Sequence, residues 1–309
     1  MSFSEQPRPS LGISATERET GLGKDTLRVW ERRYGFPKPD RDANGERLYP
    51  ADQVDRLRLV KRLMDQGHRP GRLMAASEDE LQALSAPAPL PGQAEPVDED
   101  MQRQLLALTK AHDVPQLRAA LNQAMLRQGL QSFVLNTLST LNRAVGDAWM
   151  RGELEIFEEH LYTEQVQALL RQAIATLPSG AGSPRILLTT VPEEQHGLGL
   201  LMAEALLALD GASCVSLGTQ TPLFDIAMAA RSQQADVVAL SFSGAYPARL
   251  ITPQLAQLRT LLSPEVELWA GGSGASVARV QAQSGIVAMP LLDDALAALA
   301  DWRARNAAP

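Results

Sequence analysis

From Arg185 onward the chain alternates short apolar runs with helix-forming ones, a pattern that leaves few choices of fold. Residues 185–190, 213–217, 236–241, 267–270 and 286–289 are rich in β-branched and aliphatic side chains and read as strands. Residues 198–209, 223–233, 248–261 and 292–304 carry the helical texture between and after them. Strands joined through helices lie parallel, because each crossover passes over a face of the sheet. Residues 183–309 are therefore expected to form an α/β domain of five βα units, a doubly wound, flavodoxin-like parallel sheet.

Two breaks divide what precedes it. Residues 86–97, APAPLPGQAEPV, carry four prolines among small residues and favour extended backbone, which marks 81–98 as a linker. The run PSGAGSP at 178–184 closes a long helix-forming stretch. Between the breaks, apolar residues recur at helical spacing, as in Leu117, Leu121 and Met125, then Leu130, Val134, Leu138 and Leu141. Residues 99–178 should form a helical bundle. Residues 1–80 make a third segment, and at 309 residues with 45% hydrophobic content the chain has apolar material for two or three cores.

Charge and cysteine usage narrow the class. Residues 1–78 hold 15 Lys+Arg against 12 Asp+Glu, and the remainder 14 against 24, a basic head on an acidic body. One cysteine, Cys214, supplies neither an internal disulfide nor a thiolate metal cluster. No run is long and apolar enough to span a bilayer and no cleavage-type leader is visible, so a cytoplasmic protein with no membrane partner is expected.

The head reads as a DNA-binding module. In SATERETGLGKDTLRVWERR, Ser14 is placed to cap a helix, Gly21-Leu22-Gly23 makes a tight turn, and a second helix opens at Lys24 or Asp25. That helix carries Lys24, Thr26, Arg28, Val29, Arg32 and Arg33 for a major groove, with Leu27 and Trp30 toward its own core. A hairpin-like stretch from Arg41 to Tyr49 follows, with Asn44-Gly45 as its turn signal, and a helix over 52–66 comes after it. The string TLRVWERRYGFPKPDRDANGERLYP resembles the winged helix-turn-helix of the MerR family. The resemblance implies that Arg28, Tyr34, Arg41, Arg47 and Tyr49 contact DNA and that the chain binds double-stranded operators as a dimer.

Four histidines, His68, His112, His160 and His196, are the remaining candidates for a sensor. His196 lies in the loop after the first predicted strand, at the carboxyl edge where doubly wound sheets bind ligands. Glu194, two residues earlier, is placed to accept its Nδ1–H and leave Nε2 as a metal donor, and Gly197 and Gly199 let a bulky ligand approach the backbone. Without that context, a loop histidine beside a carboxylate is an ordinary surface feature. Glu194-x-His196-x-x-Gly199 resembles the acidic-x-His-x-x-Gly signature of cobalamin-binding domains, with Glu where many members carry Asp. The resemblance implies His196 as lower axial cobalt ligand, with Ser241, Ser243, Gly271 and Gly272 lining the slot for the nucleotide tail. Ser241-Phe242-Ser243 departs from the family's usual Ser-x-Leu, so contacts to the tail are expected to differ.

The helical segment adds Trp149, nine residues, then Glu159-His160. This spacing resembles the cap of the CarH/LitR-type photoreceptor repressors, which use adenosylcobalamin. The resemblance implies Trp149 and Glu159 against the upper axial group and His160 as a ligand after photolysis. It also implies repression in the dark by an oligomer, dimer or tetramer, and release of DNA in light. His68 and His112 lack such surroundings. Two other readings stay open: a regulator that senses another tetrapyrrole or only a protein partner, and a corrinoid-dependent enzyme subunit. No substrate domain fits beside the three segments, which favours a regulator over an enzyme.

Overall fold

The computed structural model describes residues 9–65, 68–85, 99–178, 182–274 and 286–306. The proline-rich stretch 86–97 lies outside the described residues. Two compact units result, one from Met1–Gln93 with Asp147–Leu154, the other from Ala94–Gly146 with Glu155–Pro309.

In the first unit, strand β1 (Leu11–Gly12) runs straight into helix α1 (Ile13–Thr20). Extended Gly12 is the N-terminal flanking residue and no side chain caps the helix, so Ser14 sits inside the first turn instead of capping it. Pairing of β1 with the wing fixes Gly12 as extended backbone, which starts the helix before Ser14. Gly21 ends α1 at φ 65°, a left-handed conformation that costs a glycine little. Helix α2 (Lys24–Tyr34) follows, ended by Gly35 at φ 67°. Strands β2 (Asp40–Arg41) and β3 (Arg47–Tyr49) make the wing in a small antiparallel sheet of order β1-β3-β2.

Arg41 pairs with Arg47, so the wing turn spans residues 42–46 rather than Asn44-Gly45 alone. One Asp42 oxygen accepts from the backbone of both Asn44 and Glu46 at 2.8 Å and shapes that turn. Helices α3 (Ala51–Asp65), α4 (Pro70–Ala75) and α5 (Glu78–Ser85) complete the reader. Leu27, Trp30, Tyr49, Leu57, Val60, Leu63 and Leu81 share its core. Because Leu81 is fully buried there, the reader's packing runs past residue 80 into the stretch expected as linker.

The second unit opens with helices α6 (Glu99–Lys110) and α7 (Val114–Gln128). After Gly129 come a short turn α8 (Leu130–Ser132), a π-helical turn (Phe133–Leu138), α9 (Ser139–Met150) and α10 (Ile156–Ala175). The last turn of α9, from Asp147, packs with the first unit. The sheet has five parallel strands: β4 (Arg185–Thr189), β5 (Ser213–Gly218), β6 (Val237–Ser241), β7 (Glu267–Gly271) and β8 (Ile286–Met289). Their order is β5-β4-β6-β7-β8, the flavodoxin-like arrangement, in which the winding reverses between β4 and β6.

Helices α11 (Leu198–Leu209), α12 (Leu223–Ser232), α13 (Ala248–Leu261) and α14 (Leu292–Asn306) cover both faces. Ile186 and Leu188 meet Leu200, Leu207 and Leu299 on one side. Leu187 and Leu240 meet Ile226, Ile251 and Leu255 on the other, as period-two side chains require. Helix α10 of the bundle packs along α11.

Candidate functional site

The loop after β4 and the loop after β6 meet at the point where the winding reverses. Glu194, from the first loop, is 1% exposed and uses both carboxylate oxygens. Oε1 accepts from the His196 backbone N–H at 2.9 Å and lies 2.8 Å from its Nδ1; Oε2 accepts from the Ser243 N–H and hydroxyl, each at 2.8 Å. Ionised carboxylate is the form that suits four such partners. Burial alone would raise the Glu194 pKa, but the hydrogen bonds from His196 and Ser243 outweigh it and hold the carboxyl below its ordinary value.

His196 is fixed at Nδ1, yet its side chain is 63% exposed. Among the described residues, its Nε2 makes no hydrogen bond. Glu194 raises the imidazole pKa above its ordinary value, against the effect of burial, and the Glu159 carboxylate on α10 adds to the rise. Glu159 therefore brings the bundle's charge within reach of His196. Its Oε1 accepts from the Thr163 hydroxyl at 2.7 Å, and His160 Nε2 lies 3.7 Å from Oε2, with a 70% exposed side chain.

Backbone crowding shapes the rest of the edge. A Cβ on Gly272, at φ +95°, would lie 2.4 Å from the Phe242 carbonyl oxygen, so only glycine lets the loop after β7 close on the loop after β6. A Cβ on Gly199 would touch the Ser241 hydroxyl at 3.4 Å, and one on Gly197 would press on Thr219 at 3.0 Å. The Thr190 hydroxyl donates to the Glu194 carbonyl at 2.6 Å and accepts from Gln220 N–H at 2.8 Å, tying the β4 and β5 loops together. Sequence reasoning did not single out Thr190, although two polar residues ending an apolar run, Thr189-Thr190, were a signal for it.

His112, without a role on sequence grounds, sits 2.7 Å from Glu158 Oε1. Glu158 belongs to the capping box that starts α10, one residue before Glu159. His112 therefore helps fix the helix end that carries Glu159 and His160, by a pairing with no local sequence signature.

The donor set fits a metal that arrives inside a macrocycle. Among the described residues no group of three or more His, Cys, Asp or Glu side chains is gathered to hold an ion. A single oriented imidazole at a glycine-lined edge offers one axial ligand, and a corrinoid brings its own equatorial nitrogens.

Trp149 belongs to the first unit, where the Arg58 guanidinium sits 5.0 Å from its ring centroid.

On the reader, Arg28, Val29, Arg32 and Arg33 are exposed along α2, while Lys24 and Thr26 are half-buried. Lys24 pairs with Glu17 at 3.6 Å, Arg28 with Asp25 at 3.1 Å, and Arg33 lies 5.3 Å over the half-buried Tyr34 ring. Arg41 is exposed and donates to the Gly45 carbonyl at 2.7 Å. Arg47 instead binds Glu31 on α2 at 2.8 Å, fastening the wing to the reading helix. Tyr49 is a correction to the expected DNA-facing set: it is 0% exposed and packs in the reader's core, because β3 turns it inward.

The description "MerR HTH family regulatory protein" matches residues 11–74, and two descriptions of a B12 binding domain match 101–174 and 184–300. The chain is 30% identical over 266 residues to the HTH-type transcriptional repressor CarH of Myxococcus xanthus, covering 85% of this chain and 89% of that protein. It is 30% identical over 234 residues to the repressor CarA of the same organism, covering 75% and 76%. A solved monomethylamine corrinoid protein of Methanosarcina barkeri covers 66% of this chain and 99% of its own with a TM-score of 0.51 at 15% identity, a likeness of fold. Among the described residues no helix is long and apolar enough to cross a membrane. Reader, bundle and sheet edge together place this chain in the family of MerR-type transcriptional regulators with cobalamin-binding domains to which CarH and CarA belong.

Proposed function

We propose that the chain is a cytoplasmic, light-responsive repressor that holds operator DNA in the dark as an adenosylcobalamin-bound dimer or tetramer. The observation that carries this reading is the pair Glu194–His196 at the sheet edge, with the Glu159 carboxylate acting on the same imidazole. His196 would hold the cofactor's cobalt through Nε2, while Glu194 keeps the ring oriented by its grip on Nδ1. Ser241, Ser243, Gly271 and Gly272 would line the tail slot, with Gly197 and Gly199 allowing close approach. Glu159 and Trp149 would meet the adenosyl group, and His160, next to Glu159, would be a further ligand for cobalt.

When bound, adenosylcobalamin supplies a cobalt–carbon bond that light cleaves. The chain's own contribution would be differential contact: side chains that touch the adenosyl group would favour the assembly in which that group is present. Lys24, Thr26, Arg28, Arg32, Arg33, Tyr34, Arg41 and Arg47 would serve the DNA surface, and loss of the oligomer would cost the affinity that several linked readers provide.

Size-exclusion and operator gel-shift with adenosylcobalamin, in the dark and after green light, test the reading. A larger species with strong DNA retention in the dark, lost on illumination, is expected. Equal mass and equal retention in both conditions would overturn it.

A further inference from the structure

Glu158 and Glu159 share the first turn of α10, yet they serve different neighbours. Glu159 lends its charge to His196 at the sheet edge. Glu158, only 8% exposed, uses both oxygens on the helix end: Oε2 accepts from the Glu155 N–H at 2.7 Å, which closes the capping box, and Oε1 lies 2.7 Å from His112 Nε2. A buried carboxylate needs partners at both oxygens, and it cannot turn to suit one without disturbing the other. Loss of His112 would therefore loosen the Glu155 contact as well as its own.

His112 is itself held firmly. It stands between α6 and α7 at φ 56°, a left-handed conformation that histidine adopts more readily than most side-chain-bearing residues. Its N–H donates to the Thr109 carbonyl at 3.1 Å, and its carbonyl accepts from the Val114 N–H at 3.0 Å. The next residue, Asp113, caps α7 by accepting from the Gln116 N–H at 3.1 Å. The His112 ring also lies 5.1 Å from that of Phe157, the residue before Glu158. The corner between the first two bundle helices thus grips two consecutive residues at the start of α10, and all of these groups lie in the second unit.

We propose that His112 is a positioning residue for the adenosyl side of the site. Through Glu158 it fixes the first turn of α10, and with it the place of Glu159, so that the site prefers adenosylcobalamin to a cobalamin with a small upper ligand. This preference rests on the function proposed above, which gives Glu159 to the adenosyl group, whereas the hold of His112 on α10 does not. His112 acts through Glu158 and need not touch the cofactor.

Full-length His112→Asn, Glu158→Ala and the double variant test this. Asparagine suits a left-handed turn, so the first change shortens the side chain and spares the corner. In ligand-free protein each single change should raise hydrogen exchange at residues 158–160 about fivefold, the factor that a lost helix cap costs, with exchange in β4 unchanged. The double variant should exchange no faster than Glu158→Ala, because both changes disable one device. Unchanged exchange at 158–160, an equal rise in β4, or effects that multiply in the double variant would overturn the hold.

Spectral titration in the dark with adenosylcobalamin and with hydroxocobalamin reads the positioning. His112→Asn should weaken adenosylcobalamin about fivefold and change hydroxocobalamin by less than about twofold. A merely structural defect would move both alike. Equal losses for the two cobalamins, no loss for either, or an unaltered chain without the preference would overturn the positioning. An unaltered chain that takes up no cobalamin at all overturns the proposed function instead, and the exchange measurement still judges the hold.

Discussion

Glu194 holds His196 twice with one oxygen, at the backbone N–H and at ring Nδ1. The imidazole is therefore oriented before any ligand arrives, and the cost of ordering it does not fall on binding. Glu194→Gln keeps the volume but turns one of two accepting oxygens into a donor facing donors. Cobalamin affinity should fall about 10- to 100-fold, with His196→Ala losing the histidine-bound spectrum altogether. Spectral titration measures both, and an unaltered affinity in Glu194→Gln would show that the pairing orients nothing of consequence.

Tyr49 and Arg32 separate packing from recognition on the reader. The Tyr49 hydroxyl is buried with no hydrogen bond, and burial raises its pKa. Tyr49→Phe should leave operator affinity within about twofold and raise stability by about 1 kcal/mol, since it removes an unsatisfied polar atom. Arg32→Ala, at an exposed position, should weaken DNA binding across sequences and reduce the salt slope by about one. Fluorescence anisotropy at several salt concentrations and thermal melts distinguish the two.

Gly272 makes a tight backbone approach at the carboxyl edge of the sheet. Gly272→Ala should cost about 2 kcal/mol or more, because both a φ of +95° and a contact with the Phe242 carbonyl oppose a methyl group. A melting temperature equal to that of the unaltered chain would contradict this.

Cys214 on β5 has its thiol pushed up to about 12 by burial, with the Glu204 carboxylate adding to the rise. At pH 8 its thiolate fraction is about a thousandfold below that of an ordinary cysteine. Alkylation of the folded chain should be slowed to a similar degree and return to normal in denaturant, as mass spectrometry over time would record. Rapid labelling of the native chain would argue that the thiol is not held protonated.

Much of this is legible in the sequence alone. Apolar runs of four to six residues bounded by turn formers located the five strands to within about a residue, because a strand buried on both faces tolerates few polar side chains. His196 and Glu194 were legible because their partnership spans two residues. Ser243, their third partner, was named only through a family resemblance, since nothing local ties it to a residue 49 positions away. The π-helical turn at Phe133–Leu138 left no trace, because one extra residue per turn barely disturbs a short apolar pattern. The attachment of residues 147–154 to the reader was likewise hidden: it depends on Arg58 and Arg62, some ninety positions distant. Tyr49 misled because a tyrosine between a basic wing and a helix has the same sequence appearance whether it faces DNA or its own core.

The carboxylate of Glu194 spans 49 positions to reach Ser243, and that separation includes two strands and two helices. The loop after β4 supplies both Glu194 and His196, but among the described residues the other carboxylate oxygen is held only by Ser243 of the loop after β6, so no nascent or truncated piece of the sheet contains a finished site. Uptake of the cofactor then doubles as a certificate of maturation: only a chain whose β4 and β6 have already paired is fit to receive it, and a half-assembled regulator stays blind.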